Sequence, residues 1–415
     1  MGTPTPVVRF VYDVVCPFAY LAFRQLDRIR AHAEVELQPV LLGGLLRHVG
    51  APDDPNTVMA PVRAAANLRD IALWAELGDV SLKAPPGHPR RSVDAMRILS
   101  AAPAQQREAW TATLFEAYWE RGEDLSDREV LGRVMAPHQV DVEATIEAGR
   151  ESLRASTLAA FEAGAFGVPT FFGGPRMLWG QDRIGLLLRD LGGQVALDAW
   201  SVPPTRPARR VTGIRFVHDL SSPFSYLAAT QIERIAAGAG LEVEWSPILL
   251  GALFRAIGTP NVPLHAMNET RQAYALRDLQ DWADGWGVPL RFPSHFPLRS
   301  VLPLRASLVE PACVGALYRA AWAEDRRIDT PQTLAPVLAD AGFDADAILA
   351  RTQAPEVKSA LREQTERAQR EGICGVPSFV LTYEDGTTLR LWGQDRLVMV
   401  RAALEGWMPA RAASL

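Results

Sequence analysis

The stretch RFVYDVVCPFAYLA (residues 9–22) recurs almost unchanged as RFVHDLSSPFSYLA (215–228). In each copy a strand-like alternation of apolar and polar residues leads to a capping residue followed by proline, a common way to begin a helix. Four more blocks repeat in the same order, and the five offsets run from 206 to 213 residues; the first-copy versions are PVLLGGLLRHVG, NLRDIALWAELG, GVPTFF and LWGQDRIGLLLRDL. Because this period is far longer than a solenoid unit, each copy is predicted to be a domain.

The repeats predict two domains of one fold. We place the first domain at residues 1–200, a Pro- and Arg-rich linker at 201–212 and the second domain at 213–415. In each copy the first helix is followed by a second strand, a mostly helical stretch (57–163 and 265–371), a hairpin and a last amphipathic helix. This order predicts an α/β protein made of tandem thioredoxin-like domains, each with a helical insertion.

The composition excludes several classes of partner. Hydrophobic residues make up 48% and charged residues 22%, and the net charge is −5, which gives no basic surface for nucleic acid or an anionic membrane. No apolar run approaches the roughly 18 to 20 residues that span a bilayer, and the N-terminal stretch lacks the features of a signal peptide. Three dispersed cysteines argue against a disulfide framework, and seven scattered histidines against a metal site. We therefore expect a cytoplasmic protein without metal.

The first candidate site residue precedes the proline that begins the first helix. It is Ser222 in the second copy and Cys16 in the first. A helix N-terminus has unpaired N–H groups and a partial positive charge, so it stabilises a thiolate of the protein or of a bound thiol. The simpler interpretation is that Ser222 is only an N-cap and Cys16 only a small buried residue. Recurrence at the same point of both copies favours a functional site.

The second candidate is the Gly-Val-Pro sequence before a short strand, with Val168-Pro169 in the first copy and Val376-Pro377 in the second. Proline cannot donate to a ladder, so it belongs at the start or edge of a strand. If the Val-Pro bond is cis, the backbone of Val376 would be held ready to pair with an extended peptide. Only about 5–6% of X-Pro bonds are cis, so the sequence leaves this geometry open.

The third candidate is the WGQDR motif before the last helix of each copy. Asp182 and Asp395 would lie in the first turn of that helix, where an acidic residue is favourable in any case. A helix cap beside a solvated arginine (Arg183 or Arg396) is therefore the simpler interpretation. In a cleft, the same aspartates would suit the amino-acid-like end of a ligand.

With these motifs, the sequence resembles the 2-hydroxychromene-2-carboxylate isomerase family, which is allied to kappa-class glutathione transferases. The resemblance covers nearly all of both copies and is most specific in the second, in SSPFSYLA, RQAYALRDLQDWA, GVPSF and LWGQDRL. It implies a thioredoxin fold with a helical insertion and glutathione as the cofactor. It also implies an isomerase or transferase reaction on an aromatic or otherwise electrophilic small molecule, as in the catabolism of aromatic compounds.

The resemblance also implies roles for individual residues. Ser222 would be catalytic and hold the glutathione sulfur, and the rest of the cofactor would be bound by Val376, Pro377, Asp395, Arg396, Arg271 and Asn261. The isomerisation needs rotation about a carbon–carbon double bond. A thiolate that adds to the conjugated carbon makes that bond single, and the protein supplies orientation and thiolate stabilisation.

The first copy departs from this pattern. Cys16 replaces the serine and Ala66 replaces the aromatic Tyr274, so the corresponding set of Cys16, Val168, Pro169, Asp182 and Arg183 is an altered site. Ala19, in the fourth position of the motif, excludes a dithiol cycle there. Two alternatives stay open: a monothiol–disulfide oxidoreductase that uses Cys16, and a glutathione- or partner-binding protein without turnover. Because related proteins are often dimers, we expect a monomer that acts as a fused dimer.

Overall fold

The computed structural model describes residues 5–52, 55–197 and 209–410. The chain divides into two compact units. Unit 1 comprises Met1–Val58 and Ile71–Ala196, and unit 2 comprises Met59–Asp70 and Leu197–Leu415. Residues 59–70, which belong to the first copy by sequence, are thus part of unit 2.

Each unit has a four-stranded mixed sheet. The strand order is β2-β1-β3-β4 in unit 1 and β6-β5-β7-β8 in unit 2. The first two strands of each copy are parallel, and the other two neighbouring pairs are antiparallel. The strands are β1 Val7–Tyr12, β2 Glu34–Pro39, β3 Thr170–Gly173, β4 Arg176–Trp179, β5 Val211–His218, β6 Val243–Pro247, β7 Ser378–Tyr383 and β8 Thr388–Trp392.

Helices surround both sheets. In the first copy they are α1 Pro17–Phe23, α2 Leu26–Arg30, α3 Leu42–His48, α4 Pro61–Leu77, α5 Val93–Ala101, α6 Ala104–Trp119, α7 Arg128–Met135, α8 Val142–Glu162 and α9 Ile184–Asp190. In the second copy they are α10 Pro223–Ala237, α11 Leu250–Ile257, α12 Glu269–Trp286, α13 Val301–Val309, α14 Val314–Trp322, α15 Pro331–Asp340, α16 Ala345–Arg351, α17 Pro355–Arg370 and α18 Leu397–Leu404. A 3₁₀ turn comes directly before the last helix of each copy, at Gln181–Arg183 and Gln394–Arg396.

The core of each unit is built on the inward-facing aromatic residues of its central strand. Phe10 of β1 stacks on Phe171 of β3, with ring centroids 5.3 Å apart, and Phe216 of β5 packs on Phe379 of β7 at 5.5 Å. Alternation along the strands places these rings on one face, which explains why RFVYD and RFVHD are such strong strand signals. The predicted α/β fold with helical insertions is confirmed.

Two expectations about the chain as a whole meet the structure only in part. The predicted linker 201–212 falls largely outside the described residues, and β5 begins within its last two positions, at Val211. The domain boundaries therefore stay predictions. Among the described residues, no helix is long and apolar enough to span a membrane. Within the same part of the chain, no cluster of three His, Cys, Asp or Glu residues is placed to hold a metal ion.

Candidate active site

In unit 2, Ser222 caps the N-terminus of α10, a helix of 15 residues that begins at Pro223. The Ser222 hydroxyl oxygen accepts a hydrogen bond from the backbone N–H of Ser225 at 3.2 Å, and the side chain is buried. The same hydroxyl donates to the carbonyl oxygen of Val376 at 3.4 Å. The helix N-terminus and the Gly-Val-Pro loop, 154 residues apart in sequence, thus meet at this oxygen.

The loop that carries Val376 is joined in turn to the WGQDR motif. The Val376-Pro377 bond is cis, as is Val168-Pro169 in the first copy. The carbonyl of Pro377 accepts from the N–H of Gly393 at 2.9 Å. The 3₁₀ turn that holds Asp395 packs against α10. The structure therefore brings three of the predicted motifs together, and we call this group of residues (Ser222, Val376, Pro377 and Asp395) the Ser222 site.

Charge at the Ser222 site is concentrated in three side chains. Arg396 binds Asp70 through two parallel hydrogen bonds, from Nε to Oδ1 at 2.5 Å and from Nη2 to Oδ2 at 2.7 Å. The Arg396 guanidinium also lies 3.0 Å from Oδ1 of Asp395. Two carboxylates and one guanidinium carry one net negative charge, which suits a ligand's ammonium group. Arg396 is thus engaged by carboxylates, and its predicted contact with a ligand stays a prediction.

Asp70 is a part of this site that the sequence reasoning missed. It lies on α4, in the first copy by sequence, and yet belongs to unit 2. The LRD block is conspicuous in both copies, but no sequence pattern states that the first copy's block serves the second copy's site. Only the packing of residues 59–70 in unit 2 shows it.

A buried carboxylate beneath Ser222 was also missed. Asp219 follows β5 and is fully buried; its Oδ1 accepts from the N–H of Ser221 and its Oδ2 from the N–H of Leu250, both at 2.8 Å. Its carbonyl oxygen accepts from the N–H of Ser222 at 3.0 Å. Burial raises the pKa of the Asp219 carboxyl. The recurrence of aspartate at the end of both first strands was the available signal, and the role is to fix the turn that positions Ser222.

The Gly-Val-Pro loop is held from outside by a tryptophan. A side chain on Gly375 would place its Cβ 2.7 Å from Nε1 of Trp392, closer than a Cβ can approach, so the indole requires a glycine at this position. Arg63, on the segment 59–70, covers the Trp392 ring at 5.1 Å. Cys374, next to Gly375, is buried, and burial raises the pKa of its thiol to about 11.

Two predicted ligand-binding residues have less defined roles. Arg271 lies in the first turn of α12, its side chain is partly buried, and burial lowers its pKa. Asn261 packs its side-chain oxygen against the backbone of α11, where a Cβ on Gly251 would lie 2.7 Å from Oδ1. These placements neither join nor exclude Arg271 and Asn261 from the Ser222 site.

The first copy repeats this frame with a different chemical group. Cys16 precedes Pro17, and its thiol donates to the carbonyl of Val168 at 3.3 Å, while Gly180 donates to Pro169 at 2.9 Å. The Cys16 side chain makes no capping hydrogen bond of the kind that Ser222 makes. Asp182 lies 2.7 Å from the guanidinium of Arg183. We call this group (Cys16, Val168, Pro169 and Asp182) the Cys16 site.

The Cys16 thiol is poorly suited to redox chemistry. Burial raises its pKa to about 12, and the backbone amides of Ala19 and Phe18 offset this only in part. Thiolates, not thiols, attack disulfides, so a group with this pKa is almost wholly unreactive at neutral pH. The geometry therefore speaks against the monothiol oxidoreductase alternative.

Comparison with known proteins places this frame in a family. The model of the DSBA-like thioredoxin domain matches residues 7–192 and again 213–405. The chain belongs to this family, once in each half. A 2-hydroxychromene-2-carboxylate isomerase of Pseudomonas putida is 30% identical over 195 residues, which are 46% of this chain and 93% of that relative. Glutathione S-transferase kappa 1 of Rattus norvegicus is 30% identical over 234 residues, 50% of this chain and all of that relative.

The match to single-domain relatives confirms the resemblance that the sequence motifs indicated. Each relative aligns over nearly its whole length with about half of this chain, as expected for tandem copies. A solved structure of 2-hydroxychromene-2-carboxylate isomerase is 28% identical and covers 46% of this chain and 94% of its own, with a TM-score of 0.42. The chain is thus an enzyme of the isomerase and glutathione-transferase type.

Proposed function

We propose that the Ser222 site binds glutathione and uses its thiol to isomerise, or to conjugate, an aromatic or otherwise electrophilic small molecule. The observation that carries the proposal is the meeting of the Ser222 hydroxyl, the N-terminus of α10 and the Val376 carbonyl around one point. Relatives whose names specify glutathione transfer or chromene-carboxylate isomerisation support it. The reaction, the cofactor and the substrate class are our inference for this chain.

The donor groups present fit a glutathione molecule. The helix N-terminus and the Ser222 hydroxyl favour a negative sulfur, because both direct hydrogen-bond donors and partial positive charge at it. The net negative charge of Asp70, Arg396 and Asp395 favours the ammonium of the γ-glutamyl end. When bound, glutathione supplies a thiolate that adds reversibly to a conjugated carbon and leaves a rotatable single bond.

The residues of the chain have separate tasks in this proposal. Ser222 turns its hydroxyl from the Val376 carbonyl to the sulfur and stabilises the thiolate. Asp219 holds the turn before Ser222, so it is a positioning residue. For isomerisation no group is consumed, since the thiol that adds is released again; for transfer it stays on the product.

The test compares Ser222→Ala with Cys16→Ala in the full chain. Turnover is assayed with 2-hydroxychromene-2-carboxylate by absorbance and with 1-chloro-2,4-dinitrobenzene by conjugation, with and without glutathione. We expect Ser222→Ala to lower turnover by about tenfold or more, because each unit of lost pKa depression costs about tenfold in thiolate. Glutathione binding, measured by calorimetry, should persist in this variant, and Cys16→Ala should keep wild-type turnover.

The outcomes separate the alternatives. Glutathione binding without turnover on either substrate would favour a binding protein. Full turnover in Ser222→Ala would remove Ser222 from the mechanism. Loss of turnover in Cys16→Ala alone would favour the first copy as the active one.

A further inference from the structure

Unit 2 contains a groove that the proposed function does not use. It has a volume of about 180 Å³ and lies between α10, β6 and α14. Aromatic and polar side chains line it, namely Tyr226, Thr230, Glu233, Trp245 and Tyr318. The Ser222 hydroxyl is not part of the lining, so this groove is separate from the Ser222 site.

The first copy shows what fills the same place when no groove is left. Trp119 and Trp322 are equivalent, because each indole N–H donates to the backbone carbonyl of the loop after its first strand, Val14 or Leu220. One turn earlier on the same helices, Phe115 therefore corresponds to Tyr318.

An aromatic ring occupies this place in the first copy. Phe23 lies with its ring centroid 5.2 Å from that of Phe115. The repeat aligns Phe23 with Ala229, which lines the groove in unit 2. The replacement of phenylalanine by alanine removes a ring and leaves an aromatic wall, Tyr318, without the partner that Phe115 has.

A cation at the rim is missing as well. In the first copy Arg30 pairs with Asp27 at 2.8 Å and with Glu108 at 2.6 Å. The repeat aligns Asp27 with Glu233 and Arg30 with Ala236. No lysine, arginine or histidine of the described residues pairs with Glu233. Unit 2 thus keeps the acid but has lost the cation that neutralises it.

The second copy also lacks the start of one wall. α6 has 16 residues, whereas its counterpart α14 has 9 and begins after the short 3₁₀ turn Pro311–Cys313. Gly315 lies in the wall of the groove, and no atom stands within 4 Å of where its Cβ would be. The groove therefore results from three coordinated losses: a ring, a cation and a helical turn.

We propose that this groove binds a small aromatic cation, an arylalkylammonium compound, whose ring replaces Phe23 and whose charge replaces Arg30. The ring would pack between Tyr318, Ala229 and Trp245, as aromatic groups do when they bury an apolar surface. The ammonium would pair with Glu233 at the rim, within reach of the aromatic faces that attract cations.

The test uses 2-phenylethylammonium as the probe and 2-phenylethanol as its neutral analogue, titrated into the full chain by calorimetry. We expect saturable binding of one equivalent of the ammonium compound and weaker binding of the alcohol. Glu233→Gln should weaken binding of the ammonium compound by about two- to fivefold, the effect of one exposed ion pair, and leave the alcohol unchanged. Ala229→Phe, which restores the first copy's ring, should abolish binding of both.

Control measurements keep the result interpretable. Thermal unfolding establishes that Ala229→Phe is folded, and Glu233→Gln tests the site independently because its side chain is exposed. Ser222→Ala should leave probe binding unchanged, since the two sites are separate. No saturable binding at millimolar probe, equal affinity for the alcohol and the ammonium compound, or unaltered binding in Ala229→Phe would each overturn the proposal.

Discussion

At the scale of single residues, the two copies differ at the atom that faces the Val-Pro loop: sulfur at Cys16 and oxygen at Ser222. Burial raises the pKa of the Cys16 thiol to about 12. We therefore expect Cys16 to react with iodoacetamide very slowly from pH 7 to pH 9 in the folded protein. Mass spectrometry of alkylated peptides measures the rate.

The unfolded chain is the control for this reactivity. In urea, Cys16 should alkylate with the pH dependence of an ordinary thiol, whose pKa is about 8.5. Cys313 and Cys374 serve as internal references, because burial raises the pKa of both thiols too, to about 12 and about 11. A folded-state Cys16 that reacts as fast as in urea would restore the monothiol oxidoreductase hypothesis.

Asp13, the counterpart of Asp219, gives the protein a pH-dependent stability. Its carboxylate accepts from the N–H groups of Val15 and Leu42 and from the Ser92 hydroxyl, yet burial raises its pKa to about 6. The folded state therefore binds a proton more tightly than the unfolded chain. The resulting stabilisation is complete below pH 4 and is lost as the pH rises through 6, on the order of 3 kcal/mol.

Comparison with Asp13→Asn isolates this effect from other titrating groups. Between pH 4 and pH 7 the wild type should lose free energy of unfolding relative to the variant, as measured by urea denaturation at each pH. Asp219→Asn is the matched change in unit 2 and should show the same sign, since burial raises that pKa as well. A difference that stays constant with pH would contradict the prediction.

At the scale of elements, the loop before β7 is held by packing that only glycine allows. Gly375→Ala would place a Cβ 2.7 Å from Nε1 of Trp392, and Gly167→Ala would place one 2.9 Å from Nε1 of Trp179. Overpacking of this kind costs about 1–3 kcal/mol, so both variants should unfold at lower temperature. Only Gly375→Ala should also lower turnover, because it displaces Val376 and Pro377. Equal loss of turnover in both variants would place chemistry in both copies.

The elements themselves were largely predictable from sequence, and their local irregularities were not. Alternation and the Gly-Gly-Pro separator predicted the hairpin of β3 and β4 correctly, because such signals are local. The 3₁₀ turn at Gln394–Arg396 was not predicted, since it depends on Gly393, whose φ of 113° only glycine readily adopts. The same residues in sequence therefore predict the motif's position and miss the conformation that orients Asp395.

At the scale of the whole molecule, the repeat predicted two similar folds and missed how the chain is shared between units. Residues 59–70 are first-copy sequence and yet form part of unit 2. Long-range pairing of this kind has no local signal, because Asp70 and Arg396 are 326 residues apart. The tandem arrangement is thus more than duplication: the candidate site of unit 2 includes a carboxylate that the second copy's own sequence does not supply.

The Asp70–Arg396 pair gives this arrangement an energetic test. Both side chains are largely buried, at 18% and 11% exposed, and the guanidinium binds the carboxylate in two places. Asp70→Ala leaves Arg396 with Asp395 as its remaining carboxylate among those described above, so we expect a loss on the order of 1–3 kcal/mol, less than for a fully buried pair. Hydrogen exchange at Gln394–Arg396 should become faster. Glu147→Ala, which breaks an exposed pair with Arg150, is the control and should change stability by less than about 0.5 kcal/mol. A double-mutant cycle with Arg396→Ala isolates the pair, and a coupling energy near zero would show that residues 59–70 do not stabilise the site.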